Sequence, residues 1–118
     1  MTSLRPIFLA CSLLLVTGAA AANDEAVAED ALPFEDKLAA CTACHGENGA
    51  KPIMPEYPIL AGQHPDFLAH ALRDYRDGRR NNPIMAAQVQ ALALTDADID
   101  RLAAHFAAQA SGLSALNR

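Results

Sequence analysis

The sequence predicts an all-α domain, and three of its features lead to this prediction. Apolar residues recur at spacings of three and four in several segments, which is the pattern of a buried helix face. Proline tends to precede these segments and glycine to follow them, as is typical of helix starts and ends. No segment alternates apolar and polar residues as a half-buried strand does. We therefore expect three main helices and one short additional helix.

The first helix is predicted for "PFEDKLAACTACH", beginning at Pro33. Proline suits a first helical turn, and the acidic residues Glu35 and Asp36 suit the positive end of the helix dipole. Gly46 is expected to end the helix. The apolar face of this segment consists of Phe34, Leu38, Cys41 and His45.

A proline-rich stretch, "ENGAKPIMPEYPILAGQ", follows the first helix and is predicted to be irregular. Proline lacks the N–H donor that a helix interior or a central strand needs. A loop of this length inside a small domain is unusual and tends to be functional. We expect it to wrap around a bound group.

Two further helices and a short segment are predicted after this loop. One helix runs from about Pro65 to Asp77, and the loop "RRNNPIM" leads from it to a short apolar segment, "AAQVQALAL". The last helix is predicted over 96–110, with Thr95 as N-cap and Asp98 as its capping-box partner. The apolar residues of the two helices are Phe67, Leu68, Ala71, Leu72, Tyr75, Ile99, Leu102, Ala103 and Phe106.

Residues 1–22 have the features of a secretory signal peptide. Arg5 supplies a positive charge, an apolar run follows, and small residues up to Ala22 suit cleavage. The run is short for a bilayer span of about 20 residues, and an uncleaved anchor or lipidation at Cys11 are the alternatives. Residues 23–32 are acidic with few large apolar groups, so a flexible leader is expected.

Composition limits the classes of function. Removing 22 of the 118 residues would leave 96, enough for one small domain with a thin core. Such domains often need a disulfide, a metal or a cofactor for stability. The net charge of −5 argues against general nucleic-acid binding, which favours a basic surface. No second apolar run could span a membrane, so we expect no stable membrane insertion after signal cleavage.

The motif "CTACHG" contains Cys41 and Cys44, the two cysteines that follow the predicted signal peptide. Zinc would need four ligands, usually in two closely spaced pairs, and this segment supplies only one cysteine pair. A thioredoxin-like pair belongs beside a strand, and none is predicted. Cys-x-x-Cys-His is the attachment signature of c-type haem, with two thioether bonds and His45 on the iron. A surface disulfide followed by an incidental histidine is the remaining alternative.

An iron bound by His45 has a sixth position, which is either filled or open. Met85 follows His45 by forty residues, enough chain to reach the opposite face of the ring, whereas Met54 follows it by nine. Met85 is therefore the predicted ligand, with a gap-filling core methionine as the alternative. The other three histidines are weaker candidates. His64 is expected to cap the second helix, and His70 and His105 are expected to be exposed to solvent.

These segments together resemble the class I cytochromes c, and most of all the single-haem c5/c553 group and one half-domain of dihaem cytochrome c4. The resemblance rests on "CTACHG", "YPILAGQHPDFLAHAL", "RDGRRNNPIM" and "LTDADIDRLAAHFA", in this order over about residues 34–108. It implies a small cytochrome c domain over 33–118, with three main helices and a short one wrapped around one covalent haem c. The sequence departs from cytochrome c4 in having one Cys-x-x-Cys-His.

The resemblance also implies roles for residues outside the motif. The carbonyl of Pro58 would accept a hydrogen bond from the ring of His45, which fixes the orientation of the axial ligand. Leu60 would pack on the haem face. Phe106 of the last helix would meet the first helix at Phe34 or Leu38.

The function implied is one-electron transfer in the bacterial periplasm, with His45 and Met85 as the axial ligands and no catalysis by the chain itself. Its partners would be periplasmic or membrane-bound dehydrogenases, oxidases or reductases. Two alternatives stay open. One is a haem subunit of a periplasmic oxidoreductase complex, and the other is a gas-binding or sensing haem protein.

Several arginines lie among aspartates in and after the second helix. Arg73 and Asp77 are four residues apart, so ordinary surface pairing is the simplest interpretation. The alternative is that Arg79 or Arg80 faces a haem propionate or helps a partner to dock.

Overall fold

The computed structural model describes residues 31–111, so the predicted signal peptide and most of the predicted leader lie outside the described residues. The helices are Phe34–His45 (α1), Pro65–Arg76 (α2), Pro83–Ala91 (α3) and Asp96–Ala107 (α4). A single 3₁₀ turn, Glu47–Gly49, follows α1. No strand occurs in this part of the chain. The all-α prediction, with three main helices and a shorter one, is confirmed.

α1 ends as predicted, and the chain reverses direction immediately after it. Gly46 has φ 78°, and its N–H donates to the carbonyl of Thr42. A Cβ atom at this position would lie 1.8 Å from the carbonyl oxygen of Lys51. Only glycine combines this conformation with so close an approach. The reversal brings the proline-rich loop back towards the C-terminal end of α1.

α4 supplies much of the core and begins with the predicted cap. The Thr95 side chain accepts from the Asp98 N–H while the Asp98 carboxylate accepts from Thr95, which is the reciprocal capping box. The helix ends at Ala107, three residues before the predicted end. The carbonyl of Phe106 accepts the N–H of Gly62, and the Gln109 side chain bonds the His105 carbonyl. These contacts give the carbonyls of the last helical turn partners from outside the helix.

One hydrophobic cluster joins α2, α3 and α4. The predicted apolar faces of α1 and α4 are confirmed, since Ile99 and Leu102 are fully buried and Phe34 and Leu38 pack against the cluster. Phe106 is a buried member of this cluster, and its direct contact with Phe34 or Leu38 stays a prediction. The buried members are Leu68, Ala69, Val89, Leu94, Ile99, Leu102, Ala103 and Phe106.

Two polar contacts that the sequence did not predict tie α1 to α4. The Lys37 ammonium group, 4% exposed, lies 2.7 Å from a carboxylate oxygen of Asp98. The guanidinium of Arg101 lies over the ring of Phe34, 3.9 Å from its centroid. Asp98 therefore both caps α4 and binds the buried cation of α1.

α3 begins earlier than predicted. The segment "RRNNPIM" was expected to be a loop, but Pro83, Ile84 and Met85 form the first turn of α3. The Asn82 side chain accepts hydrogen bonds from the N–H groups of Ile84 and Met85. Asparagine as N-cap followed by proline at N1 is a favourable helix start. Met85 is therefore held by a helix rather than by a loop.

The predicted pairing of Arg73 with Asp77 is wrong. Arg73 binds Asp96 and Asp100 of α4, at 3.2 and 2.8 Å. The four-residue spacing indicates a pair within one helix. The carboxylates of α4, however, lie within reach of Arg73 across the α2–α4 contact. Asp77 instead binds Arg76 and Arg79.

Two predictions for the histidines of α2 had different outcomes. His70 is 77% exposed, as expected. His64 occupies the N-cap position of α2, but its side chain makes no capping hydrogen bond.

Candidate functional site

The helices and the proline-rich loop enclose a cavity of about 360 Å³, within the range of small-molecule and cofactor sites. Its walls are mainly apolar, with Leu60, Leu68, Leu72 and Phe106 among them. All six predicted site residues line this one cavity: Cys41, Cys44, His45, Pro58, Leu60 and Met85. Met54 does not line it and is 47% exposed.

His45 is buried at the end of α1, with 5% of its surface exposed. Its ring Nδ1 lies 2.8 Å from the carbonyl oxygen of Pro58. A carbonyl oxygen only accepts, so Nδ1 carries the proton and donates, and Nε2 keeps its lone pair. The ring of Tyr57 lies beside it, with centroids 6.2 Å apart. The ring is thereby oriented with its basic nitrogen available to a metal.

Backbone hydrogen bonds of the proline-rich loop bring Pro58 to His45. The N–H of Ile53 donates to the carbonyl of Cys44. The carbonyl of Gly49 accepts the N–H groups of both Leu60 and Ala61, at 2.8 and 3.1 Å. These bonds close the loop on the end of α1, so the irregular chain still has one defined course past the ring.

The thiols of Cys41 and Cys44 are three residues apart on one helix, so they lie on the same face and both line the cavity. Both are free in the structure. Burial, together with the neighbouring Cys44, raises the pKa of the Cys41 thiol to about 11. Cysteines that work in thiol–disulfide exchange have lowered pKa values, so this environment disfavours a redox role.

Met85 reaches the cavity from the first turn of α3, where its side chain is half-buried. The N-cap bond from the Met85 N–H to the Asn82 side chain fixes the turn that carries it. Asn82 and Gln88 also line the cavity. A thioether on a capped helical turn has a more defined position than one on a flexible loop.

Several lining residues were not predicted as site residues. Tyr57, Gln63, Asn82 and Gln88 contribute polar groups, and Glu56 contributes a negative charge. Arg80, one of the two arginines that the sequence offers for a haem propionate, also lines the cavity. Phe67 and Ile84 line the cavity while remaining 53% and 52% exposed. The sequence signal that could have found Asn82 is its position one residue before Pro83, which is a helix-start pattern.

Between residues 31 and 111, no group of three or more His, Cys, Asp or Glu side chains is placed to hold a metal ion. In the same range, no helix is long and apolar enough to cross a membrane.

The residues present fit a c-type haem. Two thiols on one helical face suit two thioether bonds, and a histidine with a free Nε2 suits an iron ligand. A second soft donor, the Met85 sulfur, faces the same cavity. The apolar walls suit a large flat macrocycle, and the buried Nδ1 donor is already satisfied by Pro58.

Comparison with known proteins agrees with this geometry. Residues 34–108 match the cytochrome c family, which is more than half of the chain. The chain belongs to the cytochrome c family. It is therefore a haem-based electron carrier with one covalently bound haem c, and it acts with redox partners.

Three relatives illustrate its place in the family. The chain is 40% identical to cytochrome c-554(548) of Halomonas halodenitrificans over 85 residues, which are 70% of this chain and 99% of that protein. It is 39% identical to cytochrome c4 of Pseudomonas aeruginosa over 86% of this chain and 48% of c4. It is 45% identical to the thiosulfate dehydrogenase electron acceptor of Thiomonas intermedia, over 48% of this chain and 30% of that protein. The chain thus spans about half of that cytochrome c4.

Proposed function

We propose that this cytochrome c is a one-electron carrier of the bacterial periplasm, with thioether bonds at Cys41 and Cys44 and with His45 and Met85 as axial iron ligands. The observation that carries the proposal is the convergence of these four side chains on one apolar cavity, with the His45 ring held by Pro58. The signal-peptide features of residues 1–22 support the periplasmic location.

The chain's own residues define how such a site would work. The haem, when bound, supplies an iron that changes its charge by one electron. Pro58 holds the Nδ1 proton of His45, so the ring keeps its orientation and its basicity in both charge states. Leu60 and the other apolar walls exclude water, and a methionine ligand raises the reduction potential. With two side chains on the iron, no position is left for a substrate, so we propose no catalysis by the chain itself.

A second candidate concerns the partner. The relative named thiosulfate dehydrogenase electron acceptor supports the proposal that a dehydrogenase is the electron donor of this chain. In that case the chain could be either a free carrier or the haem subunit of such a complex. A stoichiometric complex on purification would favour the subunit.

The proposed function is tested on the exported protein made in a host that attaches haem. Acid–acetone extraction should leave the haem on the polypeptide, and the intact mass should equal the chain plus one haem. A redox titration should follow a single one-electron transition. Extractable haem, a mass equal to the bare chain, or a form that binds carbon monoxide without any change of ligand would contradict the proposal.

A further inference from the structure

The first turn of α3 depends on one residue, Asn82. Pro83 carries no N–H, so the first donors of the helix belong to the three residues that follow it. The Asn82 side chain accepts the N–H groups of Ile84 and Met85, both at 3.1 Å. The Asn82 backbone carbonyl accepts the N–H of Ala86 at 2.9 Å. All three donors of this turn therefore bond to Asn82.

The two halves of α3 are packed unequally. In the second half, Val89 is 2% exposed and belongs to the hydrophobic cluster. The Gln90 side chain donates to the carbonyl of Arg76 at the end of α2, at 3.0 Å. In the first turn, by contrast, Pro83 and Ile84 are exposed to solvent. Because few buried contacts hold it, the first turn can open while the second half of the helix stays packed on α2.

Met85 connects this turn to the cavity. Its side chain is half-buried and lines the cavity, while its N–H is one of the two donors that the Asn82 side chain accepts. Opening the turn moves the Met85 backbone, and the thioether moves with it because the side chain starts from that backbone. The hydrogen bond to Asn82 and the position of the Met85 sulfur are thereby coupled.

We propose that Asn82 is a positioning residue for the axial ligand. Its side chain keeps the first turn of α3 closed, so that the Met85 sulfur leaves the iron only when this turn opens. The inference rests on the proposed function, which makes Met85 that ligand. Losing an N-cap acceptor costs a helix about 1 kcal/mol, which is about a fivefold change in the equilibrium between the closed and the open turn.

The test is competition for the iron by free imidazole in the oxidised holoprotein, followed through loss of the thioether–iron(III) absorption band. Imidazole binds only where the Met85 sulfur has left, so its apparent affinity scales with the fraction of open turn. Asn82→Ala removes the side-chain acceptor and should raise this affinity about fivefold. Asn82→Ser restores a capping oxygen without a charge and should return the affinity to near the wild-type value.

Thr95→Ala is the matched control, because it removes the N-cap acceptor of α4, a residue outside the cavity wall. It should lower the free energy of unfolding and leave the imidazole affinity unchanged. An unchanged affinity in Asn82→Ala would overturn the inference and leave Asn82 as an ordinary helix cap, even if that variant is less stable. Equal rises in Asn82→Ala and Thr95→Ala, or in Asn82→Ala and Asn82→Ser, would also overturn it.

A second measurement needs no variant, and it decides if Asn82→Ala yields no holoprotein. Amide hydrogen exchange of the wild type is compared with and without saturating imidazole. Release of the sulfur should remove the protection of the Ile84 and Met85 N–H groups and leave that of Val89 unchanged. Protection that persists at Ile84 and Met85 would overturn the inference. The proposed function fails separately, when the wild type shows no thioether–iron(III) band before imidazole is added.

Discussion

At the scale of single residues, the site depends on which atoms already have a hydrogen-bond partner. The Nδ1 proton of His45 is bound to Pro58, so the remaining nitrogen is the one that can act as a ligand. Burial raises the pKa of the Cys41 thiol, which lowers the fraction present as thiolate. Both effects come from the loop and helix that surround the residues rather than from the motif itself.

The first residue-scale prediction separates Met85 from Met54. Replacing Met85 by Ala should abolish the long-wavelength absorption band of a thioether–iron(III) bond, lower the reduction potential and let carbon monoxide bind the ferrous form. The reason is that Met85 faces the cavity from α3, and methionine ligation raises the potential. Absorption spectra and redox titrations of the purified variant measure these changes.

The matched control is Met54→Ala, which removes the same side chain from an exposed position outside the cavity wall. It should leave the band, the potential and the carbon monoxide response unchanged. Loss of the band in the Met54 variant and its retention in the Met85 variant would reverse the assignment.

Residue roles could be predicted where a motif or a spacing fixes the chemistry. Cys41, Cys44 and His45 follow from one hexapeptide, and forty residues of chain favoured Met85 over Met54. The resemblance to a family added Pro58, whose carbonyl does lie at the His45 ring. The choice between Arg79 and Arg80 could not be made, because both are arginines after Gly78 and only the folded turn shows which one meets Tyr75.

At the scale of elements, the contact between α1 and the start of α4 is a buried ion pair. Burial alone would raise the pKa of the Asp98 carboxyl, but hydrogen bonds from Lys37 and Thr95 outweigh it and hold the pKa below its ordinary value. A carboxylate with a lowered pKa stabilises the fold above the pKa of the unfolded chain, near 4. This stabilisation is lost as the pH falls through the folded-state pKa.

We therefore predict that Asp98→Asn lowers the free energy of unfolding of the holoprotein by about 2 kcal/mol at neutral pH, because it leaves the Lys37 ammonium group buried without its anion. The difference from wild type should shrink as the pH is lowered below about 4, where the wild-type carboxylate is itself protonated. Denaturant titrations at several pH values measure both effects.

Asp96→Asn is the control, since it makes the same change on the same helix but at a carboxylate 68% exposed. Exposed ion pairs contribute little, so its effect should be much smaller than that of Asp98→Asn. Similar losses of unfolding free energy in the two variants would show that the buried pair stabilises the fold no more than an exposed one.

The bounds of α1, α2 and α4 could be predicted within a few residues because caps and breakers are local signals. Thr95 with Asp98, and Gly46 after His45, act through atoms a few residues apart. The pair of Lys37 with Asp98 and that of Arg73 with Asp96 join residues far apart in sequence. A single sequence does not show which helices pack together. These contacts, including the true partners of Arg73, could therefore not be predicted.

At the scale of the whole molecule, the helices surround a cavity rather than only one another. The hydrophobic cluster joins α2, α3 and α4, and residues of all four helices and of the proline-rich loop line the cavity. Phe67 and Ile84 line this cavity while exposed to solvent, so without a bound group its apolar walls would be in contact with water. Each Å² of apolar surface left in water forgoes about 25 cal/mol of stabilisation, and the whole stability of a small domain is only about 5–15 kcal/mol.

A chain without haem would lack the group that fills this cavity. Replacing Cys41 and Cys44 together by Ala removes both attachment points, and the resulting protein should be largely unfolded. A group that binds only the native state stabilises it by mass action, and here the group would also fill the centre of the core. Far-ultraviolet circular dichroism should show a large loss of helical signal and no cooperative thermal transition. Thr42→Ala is the control, because its side chain bonds only the Ala39 carbonyl within α1, and it should melt like wild type. A double variant that melts cooperatively near the wild-type temperature would show instead that the four helices hold their arrangement without the haem.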